Sequence, residues 1–570
     1  MLRVEFTNGE VTQKTKKIGL KFPLMRNLLA QAALTQIPKI LTLLDRNPHS
    51  PTYGCFDRNF WHYKIIDFPS GMAQEFVLPL ALAYDTEVPD NPFYQQPVIR
   101  QWVEAGILYA ARSAHSDGSC DDYFPFERAG GAAAFSLLAC LDSYQLLGIN
   151  NDYALPFFVQ RADWLASHHE SGRLTNHQAL IVLCLEILGK LLNTSQWDAA
   201  KTQRLEKILE WQSSEGWFPE YEGCDPGYHT LTISCLARIY QLRQEVRLKE
   251  ALIKAVELAA QFLHPDGSYG GEYGSRNTYN FFPHGFELVG PWFPEALEIS
   301  DRFLAGLSNG LAPCYADDHI IGHHTWNYLL AWRDFVPNRP QLSPRPKGRI
   351  WLKEAQILID RRQDVELYLA LNKGGVFKLF HQQKLVASDT QFSLTVEIGG
   401  KVKNAVGHLV DNYAIEVGDD EILIQGQLGW AKQQQMTPTN LIILRVIMLT
   451  VGRFFPNLIR KLLQKMLITG KRKAPFDFQR RLCWEHDQWV VRDNLASHFW
   501  LNVKSAGVCC NQTSIYVIMS RTFQVSQLQP WLDLTEQVKQ LVPGESLKLE
   551  RSLKKQESGA RSQEPGGKRI

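Results

Sequence analysis

"SQWDAAKTQRLEKILEWQSSEGWFPEYEGCDPGYHTLTISCLARIY" (195–240) contains the structural unit that decides the fold. Its first eighteen residues alternate charged and apolar positions at helical spacing, which indicates a helix with one solvated face. A polar segment with Gly216 follows, and the run after it is apolar nearly all round. A helix of that composition is packed on every side. The unit is therefore an outer helix, a glycine-containing loop and an inner helix.

The same unit recurs about every fifty residues through the first 335 residues. "RLKEALIKAVELAAQFLH" indicates another outer helix, and "HQALIVLCLEILGKLL" and "AGGAAAFSLLACLDSYQLL" indicate inner helices. A period near fifty fits two helices with their connections. Six alternating pairs predict an (α/α)6 toroid, incomplete or closed, with an open helical solenoid as the alternative. The predicted loop glycines are Gly54, Gly118, Gly172, Gly216, Gly267 and Gly322.

The pattern changes after about residue 345. A Pro-rich segment, "RPQLSPRPKGRIW", is followed by short β-branched and aromatic runs such as "VELYLAL", "GVFKLFH" and "SIYVIMSRTFQV". Such runs predict an antiparallel β-sandwich. The predicted domains are an N-terminal extension (1–25), the toroid as catalytic domain (26–340), the sandwich (341–553) with a helical insertion at about 440–470, and a disordered tail (554–570).

Charge and cysteine usage exclude several classes of protein. Lys plus Arg (61) nearly balance Asp plus Glu (59) in the 570 residues, so no footprint for nucleic acid is present. The ten cysteines have no repeated spacing, and we expect no disulfide framework, metal site or cofactor. The N-terminus lacks a secretory pattern, which predicts a cytoplasmic protein.

The most apolar window is also basic. "NLIILRVIMLTVGRFFPNLIRKLLQKMLITGKRK" (440–473) has arginines and a proline within it and is therefore a poor membrane span. We expect it to lie on another domain or on a membrane surface. In the second case the protein is peripheral at the inner membrane face.

In a toroid, all the predicted loops open at one end of the ring. The inner helices begin there, so the mouth is a ring of helix N-termini that favours an anionic ligand. Aromatic faces with amide, imidazole and guanidinium groups suit a sugar chain bearing carboxylates. Capping and turn formation are the alternative explanations for any one of these side chains. The predicted lining residues are Trp61, Gln74, Tyr123, Glu127, Arg128, Asn176, His177, Trp217, Glu220, Tyr228, His229, Glu272, Asn277, Tyr279, His284, His323 and His324.

The pair Asn176-His177 before an inner helix, followed by "EGWFPEYEGCDPGY" (215–228), resembles the heparinase II/III and alginate lyase type of polysaccharide lyases. The resemblance implies β-elimination on an acidic, uronate-containing polysaccharide or oligosaccharide. Asn176 and His177 would neutralise the uronate carboxylate, and Tyr228 would act as base and acid. His229 or Arg128 would lower the pKa of Tyr228. The resemblance also implies a second histidine, with His284, His323, His324 and His498 as candidates.

Other functions fit the same pattern. A toroid glycoside hydrolase would use carboxyl groups from Glu127, Glu220, Glu272 or the pair Asp121 and Asp122. An isoprenoid cyclase is less well supported, because the chain has no DxDD acid motif. A third alternative is a non-catalytic polysaccharide-binding protein of a cell-surface polysaccharide biosynthesis system.

Overall fold

The structure is a computed structural model. It describes residues 22–170, 172–220, 223–315, 318–410, 412–431, 437–455, 458–459, 462, 472–510, 520–522 and 531–553. The predicted tail and residues 1–21 of the predicted N-terminal extension lie outside these ranges.

Helices form the first part of the chain, and each inner helix follows an outer one. In chain order they are α1 (Phe22–Leu34), α2 (Ile37–Leu43), α3 (Arg58–Trp61), α4 (Val77–Asp85), α5 (Pro97–Ser113), α6 (Gly130–Leu146), α7 (Ala154–Ser167), α8 (Thr175–Leu192), α9 (Asp198–Trp211), α10 (Pro226–Arg243), α11 (Val246–Gln261), α12 (His284–Val289), α13 (Glu295–Ser308) and α14 (Asp318–Arg333).

The inner helices close into a ring. Helix α4 packs on α6, α6 on α8, α8 on α10, α10 on α12, α12 on α14, and α14 returns to α4. Helices α1, α5, α7, α9, α11 and α13 pack outside them, with α1 against α14. The predicted α/α toroid is confirmed, and it is closed rather than an open solenoid.

Burial follows the predicted division into inner and outer helices. Helix α6 buries 14 of its 17 residues, whereas the outer helix α9 buries four of 14. Helix α8 is apolar and long enough to cross a membrane, but 78% of it is buried inside the protein. Its composition is therefore that of an inner helix packed from both sides.

The loop glycines adopt a backbone conformation that other residues rarely adopt. Five of the six predicted glycines have φ between 85° and 98° in the connections that precede inner helices. The sixth prediction is wrong, because Gly322 lies inside α14, and "IIGHHTWNY" is helical rather than a loop. Gly310, with φ of 78°, takes that position in the connection before α14.

Gly216 gives a direct test of this loop geometry. A Cβ at Gly216 would lie 2.5 Å from the Lys254 carbonyl oxygen, at a φ of +98°. We expect Gly216→Ala to lower the free energy of unfolding by about 3 kcal/mol, because strain and a backbone clash combine. Gly148→Ala is the control, since Gly148 has φ of +56° and no atom within 4 Å of the added Cβ. The control should cost about 1 kcal/mol in urea unfolding, and equal losses would contradict the clash.

Strands form most of the second part of the chain. They are β1 (Pro219–Glu220), β2 (Gly223–Cys224) and β3 (Cys314–Tyr315) in toroid loops, then β4 (Gly348–Leu352), β5 (Ile357–Arg362), β6 (Val365–Ala370), β7 (Val376–His381), β8 (Lys384–Ile398), β9 (Lys401–Val406), β10 (Ala414–Val417), β11 (Glu421–Trp430), β12 (Lys473–Glu485), β13 (Gln488–Ser497), β14 (Val503–Cys510), β15 (Ser520–Arg521), β16 (Leu532–Asp533) and β17 (Ser546–Ser552).

These strands form one large antiparallel sheet that folds over a shared core. Its order is β17-β13-β12-β11-β9-β8-β7-β6-β5-β4, with β10 beside β11 and β14 between β8 and β16. Apolar residues of β5–β7 and of β11–β13 belong to the same core cluster. Because two parts of the sheet enclose one core, the predicted β-sandwich is confirmed.

Strands β5–β7 join the sandwich to the toroid. Leu358 and Leu367 belong to the sandwich core, while Ile359 and Tyr368 on the alternate face belong to the toroid core. A strand that is buried on both faces has a nearly continuous apolar sequence, and "VELYLAL" is an example. The sandwich is therefore packed directly on the toroid.

The predicted helical insertion is present between β11 and β12. It begins with α15 (Pro438–Ile447) and continues as a π-helical turn at Met448–Gly452. A short helix, α16 (Thr535–Lys539), precedes the last strand.

Candidate active site

Residues from three neighbouring loops of the toroid meet at the start of α8 and α10. The Asn176 amide donates a hydrogen bond to Glu220 Oε2, and Arg276 Nη1 lies 3.5 Å from Glu220 Oε1. The Arg276 guanidinium lies over the Tyr228 ring, 5.6 Å from its centroid. We call Asn176, Glu220, Tyr228 and Arg276 the mouth cluster. It combines an amide, a carboxyl group, a phenol and a guanidinium.

Asp225 holds this cluster together through local structure. Its carboxylate caps α10 by accepting the Tyr228 backbone N–H at 3.0 Å, ahead of a proline in the first turn. The same carboxylate accepts the Arg276 backbone N–H at 2.9 Å and the Thr278 hydroxyl. One buried side chain thereby fixes Arg276 relative to Tyr228.

Burial controls the acid–base properties of the cluster. Burial raises the pKa of Glu220 to about 7, although Arg276 and His177 act in the opposite direction. Burial also holds the pKa of Tyr228 well above its ordinary value, with Arg276 opposing the shift and Glu220 adding to it. Tyr228 is therefore a neutral phenol, and Arg276 is the cation beside it.

His177 lies next to the cluster but has a different partner. Its Nδ1 is 2.7 Å from Glu170 Oε2, and its ring meets Phe135 edge-on. A Cβ at Gly131 would lie 2.5 Å from His177 Cε1, so only glycine fits there without a shift. Glu170 thus fixes the orientation of the imidazole, and His177 acts to lower the pKa of Glu220.

The sandwich contributes two lysines to the loop that carries Arg276. Lys378 on β7 donates to the Tyr279 hydroxyl at 2.5 Å and lies 3.3 Å from Glu272 Oε2. The Tyr279 hydroxyl also contacts Glu272 at 2.7 Å. Lys373 donates to Asn277 Oδ1 at 2.7 Å. Glu272, Asn277 and Tyr279 thus join the loop to the second domain.

We expect Lys378→Met to destabilise the protein by about 4 kcal/mol, because it breaks an ion pair whose partners are both 2% exposed. The matched control is Lys504→Met, whose partner Glu397 is 43% exposed, and it should cost less than about 1 kcal/mol. Urea unfolding of the full chain measures both. Equal, small losses would show that the loop does not depend on Lys378.

Tyr123, Glu127 and Arg128 lie in the loop before α6. The Glu127 carboxylate accepts the Tyr123 backbone N–H at 2.8 Å, and Arg128 pairs with Asp117 at 2.8 Å. Tyr123 is 70% exposed and lies near enough to affect the pKa of Tyr228. Tyr123 therefore stands at the mouth, while Glu127 and Arg128 hold its loop.

Four predicted histidines have described contacts with residues outside the mouth cluster. His229 bonds through Nε2 to the Ala255 carbonyl of the outer helix, and burial lowers its pKa to about 4. It is therefore neutral and directed away from Tyr228, which leaves Arg276 as the neighbouring cation. His284 contacts Asp334 at 2.7 Å. Asp334 follows the last residue of α14, so His284 lies toward the opposite end of the ring.

His323 and His324 are adjacent in α14 and face different neighbours. His323 stacks on Phe135 at 3.9 Å and lies 2.5 Å from Glu75 Oε1. His324 stacks on Phe282 at 4.4 Å, and burial lowers its pKa to about 3. Phe135 thus contacts both His177 of α8 and His323 of α14. His324, in contrast, is a neutral residue of the core.

The three remaining predicted residues, Trp61, Trp217 and Gln74, form hydrogen bonds that stabilise the connecting segments in which they lie. Trp61 donates to the Leu43 carbonyl at 2.7 Å, and Trp217 donates to Glu215 at 3.1 Å. The buried Gln74 amide donates to the Gly54 and Gly106 carbonyls at 3.0 and 2.8 Å. Gln74 therefore fastens the first glycine loop to an outer helix.

Sequence reasoning missed Arg276, Asp225 and Glu170. "DP" ahead of an apolar run is a helix-start signal, so Asp225 could have been identified as a cap. Arg276 lies in "GGEYGSRNTYN", which has no periodicity. Its role depends on contacts with residues about fifty positions earlier, which no local pattern indicates.

No protein-family model matches the chain, and no curated protein sequence matches it. Among solved structures, Paenibacillus xanthan lyase is similar at a TM-score of 0.48 and 10% identity, covering 86% of this chain and 46% of that one. The chain thus spans about half the length of the xanthan lyase chain. Streptomyces coelicolor A3 chondroitin AC lyase in complex with chondroitin sulphate is similar at 0.48 and 9%, covering 87% and 69%.

Unsaturated glucuronyl hydrolase from Streptococcus agalactiae is similar over a smaller share of this chain. Its TM-score is 0.38 at 12% identity, covering 55% of this chain and 92% of that one. At such identities a shared fold does not assign an activity. The toroid and the sandwich are established by the contacts among the helices and the pairing of the strands in this chain itself. In architecture, the chain is similar to the α/α-toroid polysaccharide lyases.

Proposed function

We propose that the protein acts on an acidic, uronate-containing polysaccharide or oligosaccharide and cleaves it by β-elimination at the mouth cluster. The observation that carries the proposal is the position of Arg276 over the Tyr228 ring, in contact with Glu220 and thereby linked to Asn176. Three loops supply these groups, and two of them lead directly into long inner helices. The N-terminus of α8, which has no side-chain cap, adds positive potential where a carboxylate would bind.

In the proposed reaction Asn176, His177 and the N-terminus of α8 neutralise the uronate carboxylate. Neutralisation favours loss of the C5 proton, because the intermediate has enolate character. The step starts from the phenolate form of Tyr228, which forms when the phenol releases its proton to solvent and which the Arg276 guanidinium stabilises. The phenolate oxygen takes the C5 proton, and the electron pair of the C5–H bond forms the C4–C5 double bond. The C4–O bond breaks, and the Tyr228 hydroxyl returns the proton to the leaving oxygen. The products are a 4,5-unsaturated uronate and a new chain end.

Arg276 is the group that makes this proton transfer feasible. Tyr228 has a raised pKa from burial, and Arg276 is the largest contribution that opposes the rise. A guanidinium above a phenol ring stabilises the developing phenolate. Glu220 holds Arg276 from the other side, so its role in the proposal is to position the guanidinium.

A glycoside hydrolase is the second candidate, and one observation favours it. The pKa of Glu220, about 7, suits a general acid. Hydrolysis needs a second carboxyl group, however. Glu127 accepts backbone N–H groups, and Glu272 is engaged with Tyr279 and Lys378. Because the carboxyl groups of Glu127 and Glu272 are already engaged in these contacts, neither is placed to act as the second carboxyl group, and elimination is favoured. A binding protein without catalysis would use the same cluster.

A panel of acidic polysaccharides, such as hyaluronan, chondroitin sulphate, alginate and xanthan, tests the proposal. Each is incubated with the protein and scored for ultraviolet absorbance of the unsaturated uronate and for new reducing ends. Elimination gives both signals on at least one substrate. Reducing ends without absorbance would establish hydrolysis. Binding with neither signal would establish a non-catalytic protein.

A further inference from the structure

The helical insertion presents an apolar surface that the rest of the protein leaves uncovered. No residue of α15 is buried. Of the 23 exposed large apolar side chains in the described part of the chain, 11 lie between 441 and 462. They are Leu441, Ile442, Ile443, Val446, Ile447, Leu449, Val451, Phe454, Phe455, Leu458 and Leu462. An exposed apolar patch of this density marks an interaction surface.

The insertion has a fixed inner side. Met448 is fully buried, and Gly452, one helical turn later, is buried too. Arg445 pairs with Asp67 at 2.9 Å, and the Arg453 guanidinium lies 5.4 Å from the Phe126 ring centroid. Asp67 and Phe126 belong to the loops before α4 and α6. The insertion is therefore seated beside the toroid mouth, with its apolar side facing outward.

Charge identifies the kind of partner. Residues 422–476 include nine Lys or Arg and no Asp or Glu, although the whole chain has 61 basic and 59 acidic residues. A partner for this segment must supply both an apolar environment and negative charge. A second copy of the chain would bring like charges together. An anionic lipid surface supplies both properties, because apolar side chains enter the acyl boundary while lysines and arginines meet the headgroups.

We propose that the insertion docks the protein on an anionic lipid surface. The exposed apolar side chains of 441–462 enter the interface, and the basic residues other than Arg445 and Arg453 contact the headgroups. Because the insertion is seated on the loop that carries Tyr123, docking places the mouth next to the lipid. A glycan presented at a membrane would then reach the mouth cluster directly. The location predicted from the sequence, at the inner face of a membrane, is one setting for this contact.

Vesicle co-sedimentation of the full chain tests the proposal. The vesicles are phosphatidylcholine alone or with about one third phosphatidylglycerol, at low and high salt. We expect at least about tenfold more protein in the pellet with phosphatidylglycerol, and less at high salt. The variant replaces Ile442, Phe454, Phe455 and Leu458, each at least 60% exposed, with Ser. Its pelleting should fall about tenfold, and its thermal unfolding should be unchanged.

The control variant replaces Val402, Leu501 and Val542, which are exposed on the sandwich, with Ser. It should pellet like the original protein. The proposal fails if pelleting is absent, if it is independent of phosphatidylglycerol, or if the insertion variant still pellets fully. It also fails if light scattering shows that the original protein is a dimer and the insertion variant is a monomer, because a second copy then covers the apolar side of the insertion. Cleavage of soluble substrate by the insertion variant is scored separately, so this failure is distinct from failure of the proposed activity.

Discussion

Tyr228→Phe should lower formation of the unsaturated product by about a thousandfold, since the variant loses the oxygen that carries the proton. The ring stays in place, so the contact with Arg276 and the fold should be retained. Initial rates from ultraviolet absorbance, at saturating substrate, measure the loss. The expected change is in kcat rather than in substrate binding, because the hydroxyl acts on the reacting atoms.

Tyr240→Phe is the matched control. Tyr240 lies on the same helix, α10, and packs against Trp292 away from the mouth cluster. This variant should retain full activity. If Tyr228→Phe keeps most of its activity while the control does too, Tyr228 is not the proton carrier and the proposed mechanism is wrong.

Glu220→Gln should have a much smaller effect on activity. Elimination uses Tyr228 for proton transfer, and a glutamine amide oxygen still accepts a hydrogen bond from Arg276. We therefore expect activity within about tenfold of the original protein, whereas loss of a general acid would cost about a thousandfold. A lyase should therefore lose more activity from Tyr228→Phe than from Glu220→Gln, and a hydrolase should show the opposite order. Severe loss in Glu220→Gln with retained activity in Tyr228→Phe would favour the hydrolase.

The same substitution should stabilise the protein at high pH. Burial raises the pKa of Glu220 from 4.5 to about 7 in the folded protein. A carboxyl group with a raised folded pKa stabilises the folded state below its unfolded pKa, and this contribution is lost as pH rises toward the folded value. The shift corresponds to about 3 kcal/mol. Glutamine does not ionise, so Glu220→Gln should be more stable than the original protein above pH 7 by about that amount.

Urea unfolding at about pH 5 and about pH 8 measures this difference. The original protein should lose stability between the two values, and Glu220→Gln should lose about 2.5 kcal/mol less, because pH 5 already lies above the unfolded pKa. Glu210→Gln, at an exposed position of the outer helix α9, is the control and should follow the original protein. An identical pH dependence in all three proteins would show that Glu220 is not held in the described environment.

Much of the fold was predictable because it depends on local patterns. An inner helix is apolar all round wherever it occurs, and the glycines before α4, α6, α8, α10 and α12 mark turns with positive φ. The error at Gly322 has a physical cause: "IIGHHTWNY" contains polar residues like the other loops. In the ring these residues are buried among other inner-helix side chains, as the stacking of His323 on Phe135 illustrates.

The site was predictable only in part. Asn176, Glu220 and Tyr228 could be grouped from the sequence because they begin inner helices or precede them in a loop with an unusual number of polar residues. Arg276 and Lys378 depend on tertiary contacts, and Lys378 lies on a strand of the other domain. His229 illustrates the opposite error, because adjacency to Tyr228 in sequence places it about 100° around the helix, toward Ala255.

The measurement that tests the central claim most directly is product analysis in water labelled with heavy oxygen. Elimination at the mouth cluster predicts products that absorb in the ultraviolet and contain no label at the new chain ends. Tyr228→Phe should form neither the absorbance nor the new chain ends. Incorporation of heavy oxygen at the new reducing ends, without ultraviolet absorbance, would contradict the account.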